Sequence, residues 1–357
     1  VLLPPARVPV VDSLGAMQSS DWLAVREYLR RHRHQLTVRA ARHYPAAAKV
    51  AGTPLLTAAD WLPQAPVPLR DISIEFRADR GPGQGAERWP LPPTHYAQTM
   101  LALAPPAVFE NRPTYRLTQA QLASPGLAGP GLPRLAFGPG RYFDGIDTGE
   151  AAAHEYAAGR TELRTAIGDP LDLARRPANL AISTLTICRD RTGRARFLLH
   201  WRDPAKVGHA GGMYQVVPAG VFQPPGFDLW QSMVREFAEE LGGYAEHADL
   251  ASFTGQLTGA LDGGRISAWC LGLGVDPLSF ATDLLTVVVF EEDLFGELFG
   301  DGTGTNAEGQ VLSARTFDAP TVDRTVQDEP LQAAGAAVLR LAWSHRAVLI
   351  GMSGLSG

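Results

Sequence analysis

The sequence predicts an α/β fold, a mixed sheet sandwiched between helices and preceded by an α+β N-terminal region. Three observations carry this. Residues 180–188 (LAISTLTIC) are rich in β-branched side chains, and 196–201 (RFLLHW) return after the turn Arg189-Asp190-Arg191-Thr192-Gly193, a hairpin pattern. Residues 214–217 follow as a third strand, and 228–241 repeat their apolar positions at helical spacing. Two more strand-like runs, 266–273 and 284–290, lead to a final helical pattern over 329–349. That order buries a sheet between layers of helices.

The helix 228–241 is the best specified element. Asp228 and Gln231 have the spacing of a capping box. Leu229, Met233, Phe237 and Leu241 form one apolar stripe, with Val234 beside it. Gly242 is placed to end the helix in a left-handed conformation. Directly after Arg235 come Glu236, Glu239 and Glu240, at i, i+3 and i+4, so their side chains share one side of the helix. Three crowded carboxylates repel one another unless a cation sits among them, and Mg²⁺ or Mn²⁺ prefers such oxygen ligands. The alternative is a solvated acidic face.

The first half is less regular. Residues 1–18 read as an extended lead-in. A basic helix over 21–43 places Trp22, Val25, Leu29 and Leu36 on one stripe and carries Arg26, Arg30, Arg31, Arg33, Arg39 and Arg42 on its other faces. It reads as a solvated amphipathic helix, with contact to DNA or an acidic partner as the alternative; a helix-turn-helix needs a second helix after a short turn, and Tyr44-Pro45 stops the pattern instead. Residues 67–76 alternate like a strand, 77–93 and 123–140 read as Gly/Pro loops, and 95–104 and 148–156 as helices. The boundary between halves falls in 165–178, dividing 1–170 from 171–357. No spacing in the first half carries chemistry.

Composition bounds the function. With 357 residues, 45% hydrophobic and 19% charged, the chain is an ordinary globular sequence with room for two domains. Lysine occurs only at Lys49 and Lys206 among 32 basic residues, a usage that points to a GC-rich genome such as an actinomycete's. A net charge of −5 offers no global field for nucleic acid. Cys188 and Cys270 form no C-x-x-C pair, which argues against structural zinc. No apolar run approaches the roughly 20 residues needed to span a bilayer, and the opening VLLPPARVPVV is too short and proline-broken for a signal peptide, so the expected compartment is the cytoplasm.

The run Arg235-Glu236-Phe237-Ala238-Glu239-Glu240-Leu241-Gly242 resembles the helical half of the Nudix box, G-x5-E-x7-R-E-U-x-E-E-x-G-U, where U is a bulky aliphatic residue. The stretch from Gly212 to Pro224, with Asp228-Leu229-Trp230, is similar to actinobacterial Nudix-like proteins, some of them described as transcriptional regulators. The resemblance implies a Mg²⁺- or Mn²⁺-dependent hydrolase of a diphosphate linkage in a nucleotide derivative. Glu236, Glu239 and Glu240 would then be metal ligands, Arg235 the residue that orients them, and Gly220 the glycine of the cofactor-binding loop. It also implies a homodimer and a later carboxylate, with Glu291 and Glu292 as candidates. The loop half of the box departs: Phe227 stands where a glutamate belongs, with Asp228 one place late, and Val221 stands for the leading glycine, with Gly220 one place early. The departure supports a rival expectation, a Nudix-fold ligand sensor or regulator-like module without turnover.

Other signals carry less. Gly302-Thr303-Gly304-Thr305 lacks the Lys-Ser/Thr of a P-loop and reads as a loop. His200 and His209 read as ordinary polar residues, and no serine sits in a G-x-S-x-G elbow. Trp201 and Tyr214 are expected in core packing, with base stacking as the alternative.

Overall fold

The computed structural model describes residues 19–78, 89, 91, 94–106, 109–123, 133–204, 206, 211–245, 248–306 and 309–351. The expected lead-in 1–18, most of the loop 77–93 and His209 lie outside them. Strands Leu180–Arg189 and Thr282–Glu291 run parallel at the centre of the main sheet, in register from Leu180 opposite Thr282 to Arg189 opposite Glu291. Ile266–Val275 pairs antiparallel with the outer edge of Thr282–Glu291, so the sheet is mixed. Both faces of these strands are covered, which explains their almost unbroken apolar sequence. Leu284, Val288 and Phe290 pack with Phe237, Phe253 and Phe295 on one side; Leu285, Val287 and Val289 pack with Ala336, Val338 and Leu339 on the other. The expected α/β sandwich is therefore present: helices Leu229–Glu240, Ala251–Asp262 and Glu292–Phe299 on one face, Ala333–Ser344 on the other.

The hairpin is more complex than its sequence suggests. The expected strand 196–201 divides at the buried Leu198. Ala195–Phe197 stays in the main sheet, while Leu199–Arg202 joins Met213–Val216 in a second sheet. The stretch of Leu180–Arg189 that this frees, Ala181–Ser183, pairs with the short strand Ala219–Val221. That strand delivers the chain to the glutamate helix.

Several expected elements change. The loop 123–140 contains a strand, Arg134–Arg141, central to a three-stranded sheet with Ser73–Phe76 and Pro113–Gln121. Its Gly138-Pro139-Gly140 looks like a turn, but Gly140 is needed for close approach: a Cβ there would meet the side chains of Thr114 and Asn179. The strand 67–76 is broken by a turn at Leu69–Asp71; Val67–Pro68 pairs with Trp269 and Cys270 of the main sheet instead. The helix 148–156 starts earlier, at Tyr142, and passes through a wide turn over Ile146–Glu150 before Ala151–Ala157. The expected final helix 329–349 starts later, after Pro330, and is two, Ala333–Ser344 and Arg346–Ile350; a further helix, Ala319–Asp328, precedes it.

The basic helix, Ser19–Ala41, is not the solvated basic face expected. Trp22, Leu29 and Leu36 are buried as the pattern predicts, but so is Arg33. Arg26 and Arg33 both bond Glu150 at 2.7 Å, and Glu150 is 1% exposed. Arg30 and Arg31 pair with Glu27, and Arg39 lies 4.7 Å from the centre of the Tyr156 ring. Nearby, the Nε2–H of His154 donates to the Trp22 carbonyl at 3.1 Å, and its ring stacks on Trp22. One hydrophobic cluster joins residues from the first half, such as Trp22 and Leu117, to Phe237 and Phe290.

Removing Glu150 strands a buried guanidinium, so Glu150→Ala should cost about 3–5 kcal/mol in chemical denaturation. Burial holds His154 down to a pKa of about 4. The folded state then refuses a proton that the unfolded state accepts from about pH 6.5 downward. This contribution to stability is present above that pH and is lost as pH falls toward 4, roughly 3 kcal/mol in all. His154→Gln should flatten the pH dependence of its denaturation midpoint by that amount relative to the parent.

Candidate functional site

The glutamate helix begins as its sequence requires. The Asp228 side chain accepts from the Gln231 amide at 2.7 Å, so this residue caps the helix. Leu229, Met233 and Phe237 bury against the sheet. The left-handed residue after the helix is Gly243 (φ +68°), one place later than expected. With the apolar stripe turned inward, the rotation of the helix is set, and Glu236 and Glu239 line a cavity of about 670 Å³. Its walls come from both halves of the chain, including Arg33 and Glu150 from the first, and Ser183, Gly220 and Asp283 from the second.

Glu236 sits directly over Gly220. A Cβ at residue 220 would overlap the Glu236 carboxylate as it stands, so a larger residue there would displace the flexible end of Glu236; no unusual φ is involved. Arg235 approaches the same carboxylate, its Nη2 lying 3.3 Å from Glu236 Oε1 and 3.2 Å from Ser232 Oγ. Arg235, Glu236 and Gly220, named separately from the sequence, come together here. Glu240 is turned away from the cavity. Its Oε1 accepts from the Ala219 amide at 2.8 Å, and its Oε2 lies 3.2 Å from His200 Nδ1, a residue 1% exposed.

Other candidates lie elsewhere. Neither Glu291 nor Glu292 lines the cavity; Glu291 pairs with Arg265 at 3.1 Å, and Glu292 pairs with Arg196. Phe227, at the position of the missing box glutamate, packs against Phe76, Tyr115, Phe137 and Phe222. Trp201 and Tyr214 face each other across paired strands, ring centres 4.8 Å apart, outside the cavity wall. In Gly302–Thr305, Gly302 is a buried bend against Phe295, Thr303 is exposed, and Gly304–Thr305 is a short edge strand whose Thr305 reaches the cavity wall.

Sequence reasoning missed several residues. His200 was an isolated histidine with no ligand spacing, yet it faces Glu240. Ser183 donates to Asp283 at 2.8 Å, and Gln215 donates to Ser183 at 3.2 Å, so three buried polar side chains share the cavity wall. The only signal for them was polarity inside otherwise apolar strands.

Solved structures similar to this chain include a Nudix hydrolase from M. smegmatis, RenU, at 17% identity over 50% of this chain and 90% of that one, with a TM-score of 0.27. Another is a NUDIX hydrolase from Alicyclobacillus acidocaldarius, at 14% identity over 50% and 98%, with a TM-score of 0.29. Likeness at these scores adds nothing to the geometry. No protein-family model matches the sequence. No curated protein matches it either.

The donor set decides how a divalent metal fits. Among the described residues, no three His, Cys, Asp or Glu side chains gather as a metal cage. Mg²⁺, however, is commonly held by one or two carboxylates together with phosphates of its ligand. Glu236 and Glu239 fit that arrangement, while Glu240 already faces an N–H donor.

The Gly220 contact is testable without any ligand. Gly220→Ala should displace the Glu236 carboxylate and destabilise the protein by about 1 kcal/mol, the low end of overpacking, because the clashing atoms end a flexible side chain. Adding Glu236→Ala removes the clashing group, so the double variant should recover most of that loss in denaturation. A double variant no more stable than Gly220→Ala would place the clash elsewhere.

Proposed function

We propose that the chain is a ligand-sensing module of Nudix-like architecture that binds a phosphorylated, nucleotide-like small molecule in this cavity. A divalent cation, Mg²⁺ or Mn²⁺, would lie between the ligand's phosphates and Glu236 and Glu239. The observation that carries this reading is the mixed charge of one concave wall: these carboxylates line the same space as Arg112, Arg202 and Lys206, while Arg33 on that wall is taken up by Glu150. Its volume falls within the range of small-molecule sites. The cation would supply positive charge against phosphate oxygens. The chain's own residues do the rest: Arg235 and Gly220 hold the Glu236 carboxylate in place, and the basic side chains favour an anionic ligand.

Binding without turnover is favoured because the third carboxylate of the motif is engaged. Glu240 anchors the helix to Ala219 and faces His200. Phe227 is committed to an aromatic cluster at the position where the box carries a glutamate. Hydrolysis of the diphosphate is the second reading, favoured by the Arg235–Glu236 contact. In that reading Glu236 takes the proton of a water attacking phosphorus.

Calorimetric titration of the full chain with ADP, ADP-ribose, NAD⁺ and UDP-glucose, with and without Mg²⁺, separates these readings. We expect saturable binding of at least one of them, weakened about tenfold or more by omitting Mg²⁺ or by Glu239→Gln. Chromatography of the same mixtures should return the ligand intact. Release of a nucleoside monophosphate would establish the second reading, and failure of the whole panel to bind would remove both.

A further inference from the structure

Arg176 is 1% exposed, yet it lines the same cavity. Its Nε donates to the Pro170 carbonyl at 2.9 Å. Nη1 donates to the Phe280 carbonyl at 2.9 Å and to Thr282 Oγ1 at 3.0 Å, and Nη2 donates to Thr282 Oγ1 at 3.1 Å. Every one of these acceptors is neutral. A guanidinium carries five N–H donors, so one hydrogen of Nη2 remains for a further acceptor. Asp169 and Asp172 act on this charge only through space. Burial without a carboxylate in contact draws its pKa down to about 10. A buried cation held only by neutral groups is costly unless something supplies the counter-charge.

The sheet register places this group relative to the glutamates. Thr282 lies opposite Leu180 on one edge of the central strand, and Gly220 lies opposite Ile182 on its other edge. Two strand spacings and two residues separate them, roughly 12 Å. The Arg176 end and the Glu236 end are thus distinct places in one cavity. A ligand whose phosphates meet Glu236 would reach Arg176 only with a separate part of its structure.

We propose that Arg176 receives a phosphate monoester of the ligand, a second anionic group distinct from the phosphates that meet Glu236 and Glu239. The ligand class is then a nucleoside diphosphate derivative with an additional phosphate remote from the diphosphate. The ligand class rests on the proposed function, while anion binding by Arg176 does not depend on it.

Two matched pairs test the assignment, NAD⁺ against NADP⁺, and ADP against adenosine 3′-phosphate 5′-diphosphate, titrated calorimetrically with Mg²⁺. In at least one pair the member with the extra phosphate should bind the parent protein about tenfold more tightly or better. In Arg176→Gln that ratio should fall toward one. Inorganic phosphate alone, at ionic strength fixed with sodium chloride, should raise the melting temperature of the parent and not that of Arg176→Gln. Arg176→Lys, which keeps the charge, should retain part of this phosphate response, and circular dichroism verifies that both variants fold. Equal affinities within both pairs, with no Arg176-dependent response to phosphate, overturn the proposal and leave the proposed function standing. Phosphate stabilisation through Arg176 without binding of any nucleotide supports the anion site and removes the nucleotide reading.

Discussion

The site depends on one contact, the docking of helix Leu229–Glu240 onto strand Ala219–Val221. That strand is fixed by its ladder to Ala181–Ser183, and the helix by the burial of Met233 and Phe237. With both partners fixed, little freedom remains for the carboxylates. Glu240 meets the Ala219 amide, and the Glu236 carboxylate occupies the space over Gly220 that a Cβ would take. A helix turns about 100° per residue, so the apolar stripe that defines the core also defines where the acids point. The chemistry at the cavity is therefore a consequence of packing on the far side of the same helix.

Three buried charges are handled in three ways, with different consequences. Glu150 is held between two arginines, so it ties the Ser19–Ala41 helix to the body of the protein. Glu240 is met by a backbone amide and by His200, an arrangement that secures the helix terminus. Among the described residues, Arg176 has only carbonyl and hydroxyl partners. Low polarity strengthens each contact and raises the cost of leaving a charge uncompensated. The first two arrangements are complete as structural joints. The third is balanced only by charges at a distance, which separates it from the others as a place for a ligand.

Much of the central architecture was legible because local pattern and tertiary role agree there. The β-branched run of Leu180–Arg189 lies in a sheet covered on both faces, and Asp228 caps the helix its spacing announces. Arg235, Glu236 and Gly220 were each nameable from the motif, but the contact of Glu236 with Gly220 depends on how the helix docks on the strand. What failed to show was non-local. Arg33 and Glu150 are 117 residues apart, and nothing near Arg33 distinguishes it from its solvated neighbours on the same helix. The strand Arg134–Arg141 was hidden by Gly138-Pro139-Gly140, where close packing against Thr114 and Asn179 imitates a turn signal. Leu198 looked like the middle of one strand and is the point where the chain changes sheets.

The one-residue displacements in the loop half of the motif have a physical meaning. Asp228 is used to cap the helix, and Phe227 is drawn into a cluster with Phe222, Tyr115, Phe137 and Phe76. Three of those partners belong to the three-stranded sheet of the first half. The segment around Phe227 is thus an attachment surface for the N-terminal region. The same attachment brings Arg33 and Glu150 to the wall that Glu236 and Glu239 also line. A ligand filling this space touches both halves at once. It can shift an equilibrium between arrangements of the two only through a difference in its affinity for them. A wall built from both halves supplies the geometric basis for such a difference, and a site confined to the helix and its loop would not.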